Sequence, residues 1–129
     1  MNCIIGIDVS KDKIDVAWLR DIQTLKVKTK VFKNTPSGFA QLCSWLSDNT
    51  KQPLNSCHCS LEATGIYHEP LSHWLFERGI AVSVCNPAQV KSFAKSLGAQ
   101  HKTDKIDSII LARYGALMKP PLWQPEPKA

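Results

Sequence analysis

The apolar positions of this chain switch between two spacings, and the switches mark its elements. Cys3–Val9 is an almost continuous apolar run rich in isoleucine, the pattern of a strand buried on both faces. After the polar turn Ser10-Lys11-Asp12-Lys13, residues 14–19 read as a second strand, antiparallel to the first. Residues 25–31 alternate apolar side chains with Lys26, Lys28 and Lys30, which marks a strand with one wet face. Those lysines read first as guards against edge pairing. From Thr35-Pro36-Ser37-Gly38 the spacing becomes helical. Phe39, Leu42, Cys43, Trp45 and Leu46 predict an amphipathic helix over residues 36–48.

A polar loop leads to a fourth strand over residues 56–63, ending at Glu62. A helix over residues 67–78 turns Leu71, Trp74 and Leu75 inward and stops at Gly79. A fifth strand (80–85), a helix (87–97) and a short basic loop follow. The last helix is predicted from Asp104 to about Met118, packing Ile106, Ile109, Ile110, Tyr114 and Leu117. Pro120, Pro121, Pro125 and Pro127 then forbid further helix. Residues 1–119 therefore read as one domain and residues 120–129 as a linker, so that the chain looks like a piece of a longer protein.

Three antiparallel strands feeding into βα units predict a mixed five-stranded sheet with helices on its faces, the ribonuclease H-like arrangement of the α/β class. The first strand is central there and the fourth lies beside it, so Asp8 and Glu62 end neighbouring strands. Asp104 and Asp107 stand three apart, on one face of the last helix, which can deliver both to the same rim. Taken alone, this pair also reads as ordinary acids at a helix start. Together the four carboxylates pose an electrostatic problem. Two of them about 4 Å apart repel by roughly 4 kcal/mol at an effective dielectric of ~20. They must bind protons or cations. All-oxygen ligands favour Mg²⁺ or Mn²⁺. A pair of such ions ~3.5–4 Å apart suits chemistry at a phosphodiester.

Charge adds to this picture. The chain has 16 Lys and Arg against 11 Asp and Glu, a formal net charge of +5, and neutralising four acids would raise it. That balance suits a polyanionic partner. Lys11, Lys91, Lys95, Lys102 and Lys105 are candidates for phosphate contacts, and equally for solvated surface lysines. Tyr67 reads as helix-start packing ahead of base stacking. The N-terminus has no basic region before its apolar run, and no apolar run approaches the ~20 residues of a membrane span. A bacterial or archaeal cytoplasm is expected. The five cysteines read as buried free thiols. Cys57-His58-Cys59 lacks zinc-ligand spacing, and His68, His73 and His101 have no partner spacing.

Gly6-Ile7-Asp8-Val9-Ser10-Lys11, then Leu61-Glu62-Ala63-Thr64-Gly65 with Tyr67, then Asn86-Pro87, then Lys102-Thr103-Asp104-Lys105-Ile106-Asp107 stand in the order of a known motif series. On these residues the chain resembles the DEDD-type insertion-sequence transposases, relatives of the Piv/MooV site-specific invertases. Ser108 departs from the Ala usual there. The resemblance implies a RuvC-like domain with Asp8, Glu62, Asp104 and Asp107 as catalytic, metal-binding acids. It also implies a separate C-terminal domain with a serine nucleophile, a composite site across a homo-oligomer, and a guide RNA that pairs with DNA. Two other readings stay open. A Gly-Ile-Asp strand also opens actin-like nucleotide-binding halves, although this chain lacks their Gly-rich second loop. A catalytically silent nucleic-acid-binding or dimerisation module would rest on the basic balance and the tail.

Overall fold

The computed structural model describes residues 3–24, 26–63, 65–98 and 106–127. The elements run β1 (Cys3–Val9), β2 (Lys13–Asp21), β3 (Lys26–Lys33), α1 (Pro36–Thr50), a 3-10 turn (Leu54–Ser56), β4 (Cys57–Glu62), α2 (Glu69–Glu77), β5 (Ala81–Cys85), α3 (Pro87–Ser96) and α4 (Ser108–Met118). The strands form one mixed sheet in the order β3-β2-β1-β4-β5. β1 pairs antiparallel with β2 and parallel with β4, and β4 pairs parallel with β5. The expected sheet is present, with β1 at its centre.

Alternation along each strand sorts the side chains onto two faces. On one, Ile5 and Ile7 of β1, Ile14 and Val16 of β2, and Cys57, Cys59 and Leu61 of β4 meet Phe39, Leu42 and Leu46 of α1 and Leu71 and Leu75 of α2. The other face carries α4. Cys85, Val90, Ala94, Ile110, Leu111 and Tyr114 form a second cluster that ties α3 and α4 to the end of β5. Glycine sets how closely α4 lies. A Cβ on Gly6 would run into the Ser108 carbonyl and the Ala112 amide, and a Cβ on Gly115 into the Ser60 hydroxyl. With neither present, the first turns of α4 rest on the backbone of β1.

The last helix begins later than the sequence predicts. Asp107 is extended (φ −111°, ψ 177°) and caps α4, its Oδ1 accepting from the Ile110 amide at 2.9 Å. A short carboxylate satisfies an orphan N–H at a helix start better than it serves inside a helix. The helical i, i+3 argument for Asp104 and Asp107 therefore does not describe Asp107, and Asp104 lies outside the described residues. Leu117, expected to pack, is 56% exposed, while Leu111 and Ala112 are buried. The inner stripe is thus rotated from the one expected. α2 starts at Glu69, leaving Tyr67 exposed before it.

On β3 the apolar positions of the alternation are not packed throughout. Val31 is 53% exposed, and Phe32 is the residue that packs, edge-on to Trp45 at 5.9 Å. β3 is an outer strand, and α1 covers only its Phe32 side.

The proline-rich segment is docked along the sheet as far as Trp123. Lys119 ends α4 in the left-handed region (φ 46°). The Ser83 hydroxyl donates to the Pro120 carbonyl at 3.2 Å, and the Trp123 amide donates to the Val82 carbonyl at 2.6 Å. The Trp123 ring stands edge-on to His73 at 5.1 Å and Phe76 at 6.0 Å. This segment covers part of the open edge of β5. Buried His58 shares a 2.7 Å hydrogen bond with the same Ser83 hydroxyl. All five cysteines are free thiols. Burial pushes the Cys57 thiol up to about 12 and raises Cys59 as well. Among the described residues no helix is long and apolar enough to cross a membrane.

Candidate active site

The register of β1 and β4 builds the site. Their parallel pairing runs from Cys3 opposite Cys57 to Ile7 opposite Leu61. The next residues along the two strands are Asp8 and Glu62. Parallel strands carry both to the same end of the sheet, and alternation turns both towards the α4 face. Both are half-buried. Glu62 holds its proton more tightly than an ordinary glutamate, first because it is partly buried and second because Asp8 is close and negative. The close approach of α4 over Gly6 brings Asp107 to the same rim. Asp8 and Asp107 line one cavity of about 370 Å³. Three of the four expected acids thus occupy one end of the sheet. Asp8 is the link between Glu62 and Asp107.

The same cavity holds residues that the sequence reading passed over. Asp15 lies directly opposite Asp8 on β2 and lines it, as do Lys13, Thr29 and Lys30. Like charges at opposed strand positions are unfavourable. Asp15 therefore adds to the negative potential at Asp8. The signal was available. A tight hairpin pairing Val9 with Ile14 puts Asp15 across from Asp8 by counting alone.

Asn34 was missed as well. Its Nδ2 donates to the Ser10 carbonyl at 2.8 Å and the Tyr67 carbonyl at 3.1 Å, and its amide donates to the Asp12 carbonyl at 3.0 Å. It ties together the turn after β1 and the loop after β4, the two segments that leave Asp8 and Glu62. Gly65, in that loop, has φ +66°, where a side chain is strained. Of the lysines expected near phosphate, Lys11 is exposed in the turn after β1, and Lys91 and Lys95 are exposed on α3. None of the three lines the acid cavity. Lys102 and Lys105 lie outside the described residues.

The donor chemistry at this rim is carboxylate oxygen, which fits a hard divalent cation. A cation beside Asp8 and Glu62 would offset the partial burial and the Asp8 charge that raise the Glu62 pKa. One Asp107 oxygen is engaged in capping α4. Among the described residues no three His, Cys, Asp or Glu side chains group closely enough to hold a metal ion. The cysteines offer no alternative centre. Cys57 and Cys59 point into the α1–α2 core with raised thiol pKa values, while His58 faces the other way to Ser83.

Solved structures share this fold. A Thermus thermophilus RuvC structure matches with a TM-score of 0.58 at 14% identity, over 91% of this chain and 96% of that one. T. thermophilus RuvC in complex with a Holliday junction substrate matches with a TM-score of 0.54 at 17% identity, over 88% and 92%. These likenesses make the fold ribonuclease H-like of the RuvC kind. The chain is also 42% identical over 122 residues to the pilin gene-inverting proteins of Moraxella lacunata and Moraxella bovis. That alignment takes in 95% of this chain and 37% of each relative, so the chain spans little more than a third of their length. A family model described as transposase, of the DEDD IS110 type, matches residues 5–128. The chain belongs to the IS110-type DEDD transposase family.

Proposed function

We propose that this chain is the metal-dependent, nuclease-type domain of a DNA transposase or recombinase that acts on DNA phosphodiesters. Asp8, Glu62 and Asp107, joined by Asp104, hold two Mg²⁺ or Mn²⁺ ions. When bound, such ions activate an attacking oxygen and stabilise a leaving oxygen at a phosphodiester. The protein's part is to fix the acids. Strand register holds Asp8 beside Glu62, the cap bond orients Asp107 against α4, and Asn34 braces the loops behind them. The observation that carries the reading is the juxtaposition of Asp8 with Glu62, whose pKa burial and Asp8 raise, and with Asp107 across one cavity.

The relatives named for inverting a pilin gene favour site-specific recombination of double-stranded DNA as the reaction of the whole protein. On this reading residues 120–129 lead towards a C-terminal domain that supplies a serine nucleophile. A guide RNA selects the DNA, the full-length protein is a homo-oligomer, and it works in the cytoplasm.

Fluorescence anisotropy of a labelled DNA duplex with this 129-residue chain tests the reading. Mn²⁺ should tighten binding by the native chain and leave binding by Asp8→Asn unchanged. Failure of the native chain to bind DNA, or an equal Mn²⁺ effect in both proteins, would contradict it.

A further inference from the structure

β2 and β3 meet at the acid rim with Lys13 directly opposite Lys33. Both side chains are exposed. Two ammonium groups at opposed strand positions destabilise the pairing, so the arrangement costs stability unless an anion sits between them. Lys13 and Lys33 line a cavity of about 310 Å³, together with Ser37 and Gln41 from the first turns of α1. Gly38 fixes this wall, since a Cβ there would run into the Lys33 carbonyl. The cavity adjoins the acid cavity. Lys13 and Val31 line both. Lys13 and Asp15 share a strand face and are two residues, or about 7 Å, apart.

A basic cavity and an acidic one thus share a wall at the end of the sheet. We propose that the Lys13–Lys33 cavity is a phosphate-binding subsite for the DNA strand, seating a backbone phosphate next to the phosphodiester that faces Asp8 and Asp107. This rests on the DNA-acting reading given above and adds to it the side from which the strand enters, over β2 and β3 and past the start of α1. Lys13 and Lys33 carry no sequence information here. They position the strand, as lysines on phosphates do.

The two ammonium groups oppose each other, so their removal separates binding from folding. In Lys13→Gln/Lys33→Gln the thermal midpoint should equal or exceed the native value. DNA affinity should fall, and the slope of log affinity against log salt should flatten by about 1, for the one phosphate that the two lysines no longer neutralise. Lys33→Gln alone should give about half of that change. Lys51→Gln, at the far end of α1 and ~22 Å away, should behave as native. A native salt slope in the double variant overturns the subsite while DNA binding by the native chain leaves the broader reading standing. If the native chain binds no DNA, the broader reading fails first. A free phosphate ion as occupant is a separate outcome. Inorganic phosphate would then raise the thermal midpoint of the native chain alone, with DNA affinity equal in both, and that too overturns the assignment to a DNA strand.

Discussion

Gly6 and Ala112 lie with their backbones in contact, because β1 has no side chain at the point where α4 crosses it. That contact sets how near Asp107 comes to Asp8. Alanine at position 6 would place a methyl group against the Ser108 carbonyl and the Ala112 amide, neither of which can swing aside as a side-chain end would. Gly6→Ala should cost about 1–3 kcal/mol in denaturant unfolding, the usual penalty of overpacking. A native midpoint would mean that α4 sits farther from the sheet than this close approach requires.

Trp123 tests whether the proline-rich segment is held or trails free. Its ring meets two aromatic partners and its amide bonds to the edge strand. Trp123→Ala should destabilise the chain by about 1–3 kcal/mol, less than a fully buried tryptophan because the ring is only half-buried. Limited proteolysis should then cut after Lys119 faster than in the native protein. Equal cutting rates in both would show that the ring anchors nothing.

His58 predicts a pH dependence. Burial lowers its pKa from the ordinary 6.5, with the positive N-terminus adding to the effect. A depressed folded-state pKa means that the unfolded chain takes up a proton first as pH falls. The contribution is intact above about 6.5 and diminishes below it. The melting temperature should therefore drop between about pH 7.5 and pH 5.5. His58→Gln, which can still reach the Ser83 hydroxyl, should flatten that drop. The same slope in both proteins would show that His58 does not set it.

Much of this fold is legible in the residues because two periods write it. The continuous apolar run of β1, the polar turn after it and the apolar stretch 14–19 give the central hairpin. The βα spacing after residue 50 then sets β4 beside β1, which brings Asp8 to Glu62. What the sequence did not reveal depended on three-dimensional context. The lysines of residues 25–31 mark β3 as an edge strand, which it is, but they do not say which of its faces a helix covers: Phe32 packs under α1 while Val31 is exposed. Asp107 reads as an acid within a helix that starts at Asp104, and only its extended backbone, with the helix starting at Ser108, makes it the cap. The four prolines read as a linker over residues 120–129, and nothing in their spacing reveals that Trp123 reaches the edge of β5. Asp15 and Lys13 were passed over because they sit inside an unremarkable strand. They matter only through their partners, Asp8 and Lys33.

The central claim is that Asp8 belongs to a cation site. The most direct measurement is calorimetric titration of Mn²⁺ into the native chain and into Asp8→Asn, with both confirmed to be folded. The account predicts saturable binding by the native chain that Asp8→Asn abolishes or weakens at least tenfold, with Asp107→Asn affected in the same direction. Binding of equal affinity and stoichiometry in the native chain and Asp8→Asn would contradict it.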